Sequence, residues 1–392
     1  MIYDFNQVIK RDQTNSVKWE HVGRYVAGAR DDTLPLWVAD MDFPCAQPII
    51  DALHARVDRL IFGYSDPYTE EYLSTVTGWF ERRLNWTIDP AHIVVAPGVV
   101  PAIGVLLRIL TRPGDGVIIQ RPVYYPFTNM ITGNGRRVVN NPLSLSDGRY
   151  AMDFADLEAK ASDPANTMMI LCSPHNPVGR VWTPEELIRA AEICQKHEVV
   201  LISDEIHCDL VRRGVTQAPT RLLSDFDQII TCTSASKTFN LAGLHICNCI
   251  VSSEKIRQEW QAEQRGRMGL SGGNAMGIAA TQAAYNQGEE WLEQVLDYLD
   301  ANLRFMAEFI GERLPKAAFT IPQGTYLPWI DLRGYGLTGP ELEERILGQA
   351  NIALDQGYIF GPEGEGFERI NAACPRSILT DCLERMAKVL EG

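Results

Sequence analysis

Seven short, mostly continuous apolar runs recur between residues 93 and 251, and they constrain the fold more than any other feature of the chain. They are Ile93-Val94-Val95-Ala96 and the stretches 116–120, 136–139, 167–172, 199–203, 228–232 and 245–251. Each has the length of a strand and is too short for an ordinary helix. Helical segments lie between several of them. The best marked starts at Thr183-Pro184-Glu185-Glu186, where Thr183 caps, Pro184 suits the first turn and Glu186 completes a capping box. Strands that stay apolar along their length must be covered on both faces, so the pattern predicts an α/β domain on a mostly parallel sheet. Groups that do chemistry in such a sheet lie past the C-terminal ends of its strands.

The flanking segments read differently. Residues 1–48 carry few periodic signals and are expected to be an N-terminal arm that belongs partly to a small domain. Residues 49–285 are expected to form the large domain. After 285 comes an amphipathic stretch over 289–314, ended by Pro315, then strand patterns at 319–321, 326–331 and 367–370 with helices near 340–349 and 377–390. Residues 286–392 therefore predict a smaller α+β domain. A chain of 392 residues is too long for one core, which agrees with two domains.

Composition limits what the protein does. A formal net charge of −14, with no basic cluster to offset it, argues against a nucleic-acid or anionic-membrane partner. No uncharged apolar run is long enough to span a bilayer. The start Met1-Ile2-Tyr3-Asp4-Phe5-Asn6 lacks the features of a signal peptide. Nine scattered cysteines form no disulfide framework and no zinc-type grouping, so a cytoplasmic protein with reduced thiols and no metal is expected.

Four strand ends hold polar residues. The first run leads through Gly98-Val99-Val100 into a helix, whose free amides can bind phosphate; taken alone, the segment reads more readily as a plain tight turn. The run 167–172 leads into Ser173-Pro174-His175-Asn176-Pro177-Val178-Gly179-Arg180, whose fixed backbone holds Asn176 in place. The run 199–203 ends in Asp204-Glu205-Ile206-His207, and a carboxylate there wants a cation, either an arginine or a pyridinium nitrogen. A metal site from Asp204, Glu205, His207 and Asp209 is conceivable, although neighbours on one short segment rarely converge on an ion. The run 228–232 leads into Thr233-Ser234-Ala235-Ser236-Lys237, where the lysine suits a Schiff base with pyridoxal phosphate or simply a polar turn. Together the four ends place an anion cradle, an amide, a carboxylate and a lysine along one sheet.

Over nearly its whole length the chain resembles the fold-type-I pyridoxal-phosphate enzymes of the aspartate aminotransferase (class I/II) superfamily. The motifs that carry the likeness are G-V-V, P-V-Y-Y-P-F, C-S-P-H-N-P-V-G-R, S-D-E-I-H and S-A-S-K-T-F-N-L-A-G. With W-V-A-D-M-D-F, F-G-Y-S and R-I-N-A-A-C-P-R-S added, it is similar to the MalY/PatB-like branch, bacterial cystathionine or cysteine-S-conjugate β-lyases. The resemblance implies that Lys237 bonds the cofactor and moves the Cα proton, and that Asp204 keeps the pyridinium nitrogen charged. It implies further that Tyr124 stacks on the ring and Asn176 meets its phenolic oxygen. The phosphate would lie against Val99, Val100, Ser234 and Ser236, with Tyr64 reaching it from the other subunit of a homodimer. Substrate contacts fall to Arg376, which would clamp the α-carboxylate, and to Ala39, Asn176 and Tyr326.

Two positions depart from the common aminotransferase pattern. His245 stands where many members carry a phosphate-binding arginine, and His207 where many carry a tyrosine; His207 is kept as a cofactor contact. The branch implies α,β-elimination from an amino-acid substrate to pyruvate, ammonia and a thiol. A transaminase with the same site, and a regulatory protein that binds a transcription activator, stand as alternatives.

Overall fold

The computed structural model describes residues 1–270 and 273–392. Its large domain is built on one sheet of seven strands: β1 (Ile93–Ala96), β2 (Gly116–Ile119), β3 (Arg137–Asn140), β4 (Asn166–Cys172), β5 (Val200–Asp204), β6 (Ile229–Thr233) and β7 (Cys247–Val251). They lie in the order β1-β7-β6-β5-β4-β2-β3. Every pair from β6 across to β3 is parallel. Strand β7 runs antiparallel to both of its neighbours. That single reversal points β1 the same way as β4, β5 and β6, so all four of their C-terminal ends reach one edge of the sheet.

Continuous apolar runs are explained by burial on both faces. Ile119, Ile170, Ile202 and Ile230 face a core that includes Ile103 and Leu106 of helix Val99–Leu110. Their neighbours Ile118, Leu171, Leu201 and Ile229 face the opposite core, against Leu187 and Ala190 of helix Pro184–Lys196. Both halves of the capping box at Thr183 and Glu186 are formed.

The C-terminal part carries an antiparallel sheet of β8 (Ala318–Phe319), β9 (Trp329–Asp331), β10 (Asp355–Gln356) and β11 (Phe367–Arg369), in the order β8-β9-β11-β10. Helix Arg376–Glu391 packs on the same core through Leu379, Leu383 and Met386. The long helix Glu289–Arg313 serves both domains. Trp291, Val295 and Leu299 join the core that holds Trp79 and Phe239, whereas Leu303, Met306 and Ile310 join the small-domain core. The passage between domains thus runs through this helix.

The N-terminal arm is likewise shared. Strand Leu34–Pro35 pairs with Ile352–Ala353 and Leu36 enters the small-domain core, but Phe5, Met41 and Phe43 pack with the large-domain cluster. Residues 37–43 then cross between the domains as a strap. Lys18, wholly buried, donates to Asp42 Oδ2 (2.7 Å) and the Asp40 carbonyl (3.1 Å), while Trp19 Nε1 donates to Asp42 Oδ1 (2.8 Å). From the other side Asn240 bonds the Met41 amide and carbonyl, and Asn371 Nδ2 donates to the Val38 and Asp40 carbonyls. Among the described residues no helix is long and apolar enough to cross a membrane.

Candidate active site

The four strand ends and the strap enclose a cavity of about 330 Å³. Its wall includes Ala39, Val99, Val100, Tyr124, Asn176, Asp204, His207, Ser236 and Lys237. Gly98 opens helix Val99–Leu110 with φ 141°, a conformation that L side chains rarely adopt, and the first helical residues after it, Val99 and Val100, line the cavity. Tyr124 follows β2, and its backbone N–H donates to the Asn176 carbonyl (3.0 Å), tying the tyrosine loop to the asparagine loop.

Asp204 ends β5 between Cys172 and Cys232 on the adjoining strands. Its Oδ1 accepts from the Ile206 amide (3.1 Å), and burial pushes its carboxyl up to about 7 against the pull of that bond and of Lys237. A carboxyl so buried and so lightly satisfied is complementary to a cationic N–H donor. Lys237 sits in the short helix Ala235–Thr238, capped by Ser234, and its Nζ donates to the Ala39 carbonyl (2.6 Å). Burial lowers its ammonium to about 8, with Asp40 and Asp204 opposing and Arg369 assisting. His207 is buried and held neutral, its ring lowered to about 3 first by burial and then by Lys237 and Arg369. Its Nδ1 has no partner among the described residues.

Several expected contacts are corrected by this geometry. Arg376 does not reach the cavity. It opens helix Arg376–Glu391, its Nε donates to Asn302 Oδ1 (2.8 Å) and its guanidinium lies over the Phe305 ring at 4.4 Å. The arginine beside the cavity is Arg369 at the end of β11: Nη1 donates to Asn176 Oδ1 (2.8 Å), Nη2 to the Trp37 carbonyl (3.3 Å), and the group stacks over Phe360 at 4.8 Å. Ser234 stands behind the wall, since its hydroxyl donates to the Ile246 carbonyl (2.7 Å) and accepts from the Ser236 amide (3.0 Å), leaving no hydrogen for a phosphate. Tyr326 is also one layer back: its hydroxyl donates to the Ala39 carbonyl (3.0 Å) and its ring meets the edge of His207. Tyr64 is fully exposed and is not part of its own chain's cavity wall.

The sequence reading missed Cys172, Ile206 and His245 as wall residues. Arg369 stands in the same R-I-N-A-A-C-P-R-S motif as Arg376. The available signal was the F-E-R-I strand pattern, which puts Arg369 at a strand end as Asp204 is. The metal grouping around Asp204 does not form. Glu205 turns to Ser203 Oγ (2.7 Å) and the Thr220 amide (2.9 Å), and Asp209 to Thr238 Oγ1 (2.9 Å) and Trp79 Nε1 (3.3 Å). Among the described residues there is no cluster of three or more metal-ligand side chains.

The family profile of "Aminotransferase class I and II" matches residues 31–386. The chain belongs to that family. Within it, the chain is 42% identical to the Bacillus subtilis protein named cystathionine beta-lyase PatB, over 99% of this chain and 100% of that one. It is 36% identical to Protein MalY of Escherichia coli, over 96% of each. Among solved structures it is similar to cystalysin from Treponema denticola, which contains pyridoxal 5′-phosphate, with a TM-score of 0.96, 38% identity and coverage of 100% and 99%. Pyridoxal phosphate fits the residues of this family member: the under-satisfied Asp204 suits a pyridinium N–H, and the amides at Val99 and Val100 suit a phosphate.

One structural histidine behind the site yields a pH prediction. His175 Nε2 bonds the Pro122 carbonyl (2.9 Å), and burial lowers the ring to about 4. The unfolded chain accepts a proton at His175 near pH 6.5, which the folded chain refuses until about 4. Its stabilising contribution is complete above 6.5 and is lost as pH falls through that window, at about 1.4 kcal/mol per pH unit. Urea midpoints of the wild type and His175→Gln between pH 4 and 7 are expected to fall more steeply for the wild type; parallel curves would contradict the assignment.

Proposed function

We propose that this protein is a pyridoxal-phosphate-dependent carbon–sulfur lyase, which eliminates the β-thiol of cystathionine or another cysteine S-conjugate to give pyruvate, ammonia and the thiol. The observation that carries the reading is that Lys237, partly buried, and Asp204, buried, face one cavity in a chain 42% identical to a named cystathionine beta-lyase over its full length.

Bound pyridoxal phosphate supplies an electron sink for negative charge developing at the substrate Cα. The chain's own residues do the rest. Arg369 takes the α-carboxylate through its fork of N–H donors, and Asn176, bonded to that fork, fixes where the carboxylate lies relative to the ring. Lys237 Nζ, lowered to about 8 by burial, is a base poised near neutral pH and removes the Cα proton. The Ala39 carbonyl, 2.6 Å away, holds the resulting ammonium in place. Asp204 would hold the cofactor's protonated ring nitrogen and supply the fixed negative charge of the site. The Cβ–S bond then breaks with its electron pair leaving on sulfur, which takes a proton from the Lys237 ammonium to become the thiol, and water hydrolyses the unsaturated amino acid left behind to pyruvate and ammonia. Tyr64 acts in the site of a second copy, and its full exposure beside exposed Leu60, Ile61 and Phe62 supports a homodimer. A cytoplasmic setting belongs to the same reading, supported by nine unpaired thiols.

The test is to incubate the purified protein with cofactor and L-cystathionine and to follow pyruvate and free thiol together. Amino transfer that depends on an added keto acid, without thiol release, would overturn the lyase reading. The placement of the two arginines is checked separately. Arg369→Lys, which keeps the charge but loses the fork, is expected to raise KM at least about tenfold. Arg376→Ala, far from the cavity, is expected to leave KM within about twofold.

A further inference from the structure

Asp355 and Arg369 are direct register partners in the antiparallel pair β10–β11, so their side chains rise from one face of the sheet and meet. Asp355 Oδ2 accepts from Arg369 Nη2. Both side chains are deeply buried, at 5% and 2% exposure, so little water separates or screens the pair. The remaining partners of the guanidinium, Asn176 Oδ1 and the Trp37 carbonyl, are neutral, and its Nε has no partner among the described residues. The arginine therefore keeps hydrogens on Nε and Nη1 that no described residue fills, while its charge is already balanced.

We propose that Asp355 sets the affinity of the site for the α-carboxylate by holding the Arg369 clamp at zero net charge. The proposal rests on the reading that Arg369 receives that carboxylate. A second carboxylate sharing the guanidinium comes close to Asp355 in a poorly screened setting, and the two like charges repel. Burial, which raises the Asp355 carboxyl against the opposing pull of Arg369, shows how little solvent reaches the pair. The substrate is then held by the geometry of the fork and the cofactor more than by net attraction. Asp355 is a positioning and charge-balancing residue that acts through Arg369.

Asparagine at this position keeps an acceptor for Nη2 and removes the charge, which separates the electrostatic role from a structural one. The experiment uses the cofactor-loaded protein and titrates two amines by the change in cofactor absorbance. One is L-alanine, which has no β leaving group; the other is ethylamine, which lacks the carboxylate. Asp355→Asn is expected to bind L-alanine on the order of tenfold more tightly, with ethylamine unchanged. A merely structural role would weaken binding, so unchanged or weaker L-alanine binding by the folded variant overturns the proposal. Asp355→Ser also offers a neutral acceptor and carries the same expectation, so a misfolded asparagine variant does not remove the test. Arg369→Lys is titrated alongside. If that variant leaves the preference for L-alanine over ethylamine intact, the assignment of Arg369 fails. If the preference collapses there while the Asp355 variants bind no tighter, only the role of Asp355 fails.

Discussion

Lys237→Ala is expected to lower turnover by at least about 10⁴-fold and to abolish the absorbance band of the covalently held cofactor, because one side chain supplies both the covalent anchor and the base. Among the described residues no other lysine is part of the cavity wall, so none stands ready to replace its Nζ. The substitution should not unfold the protein: Lys237 makes one side-chain hydrogen bond, to the Ala39 carbonyl, and the short helix that carries it is capped through Ser234. Absorbance spectra and thermal melting of the loaded variant check both statements. Added methylamine should restore part of the activity by acting as an external base. A wild-type absorbance band in the variant would show that a different residue anchors the cofactor.

The second large effect is expected at Asp204. Asparagine has nearly the same shape and keeps an acceptor for the Ile206 amide, but it cannot hold a negative charge behind the ring. Turnover should fall by about 10²- to 10³-fold, the scale of losing one preorganised electrostatic contact, while most of the cofactor stays bound. Burial lifts the Asp204 carboxyl to about 7 when only Ile206 and Lys237 oppose it, so a cationic partner at the ring nitrogen is needed to keep it ionised at neutral pH. Rates at saturating substrate, measured with cofactor content determined on the same samples, decide the matter. A variant within a few-fold of the wild type would remove Asp204 from the mechanism.

The large domain was legible because its signal is local. Runs such as Ile93–Ala96 and Val200–Asp204 announce strands buried on both faces, and residues at or just past their C-terminal ends, such as Asp204 and Pro97, line the cavity at the sheet edge. Such local patterns are what point to Lys237, Asp204 and Asn176 as candidates. The small domain was harder to read because its strands are two or three residues long, and Asp355–Gln356 carries no hydrophobic run at all. Choosing between Arg369 and Arg376 needed the third dimension. Both sit in one polar motif, and only the register of β11 against β10 and the position of Asn302 on a helix some seventy residues away separate a site arginine from a helix-start arginine. Ser234 and Tyr326 were misplaced for a related reason: sequence shows a hydroxyl but not which acceptor already holds it.

The strap over residues 37–43 has a further consequence. It meets the two cations nearest the site with peptide oxygens: the Trp37 carbonyl toward Arg369 and the Ala39 carbonyl toward Lys237. Peptide dipoles do not titrate and cannot be deleted by changing a side chain. The negative potential of these two carbonyls should keep its strength at any pH at which the chain is folded, whereas substitution of Asp40, whose charge opposes the lowering of Lys237, removes a separate and titratable part of the rim.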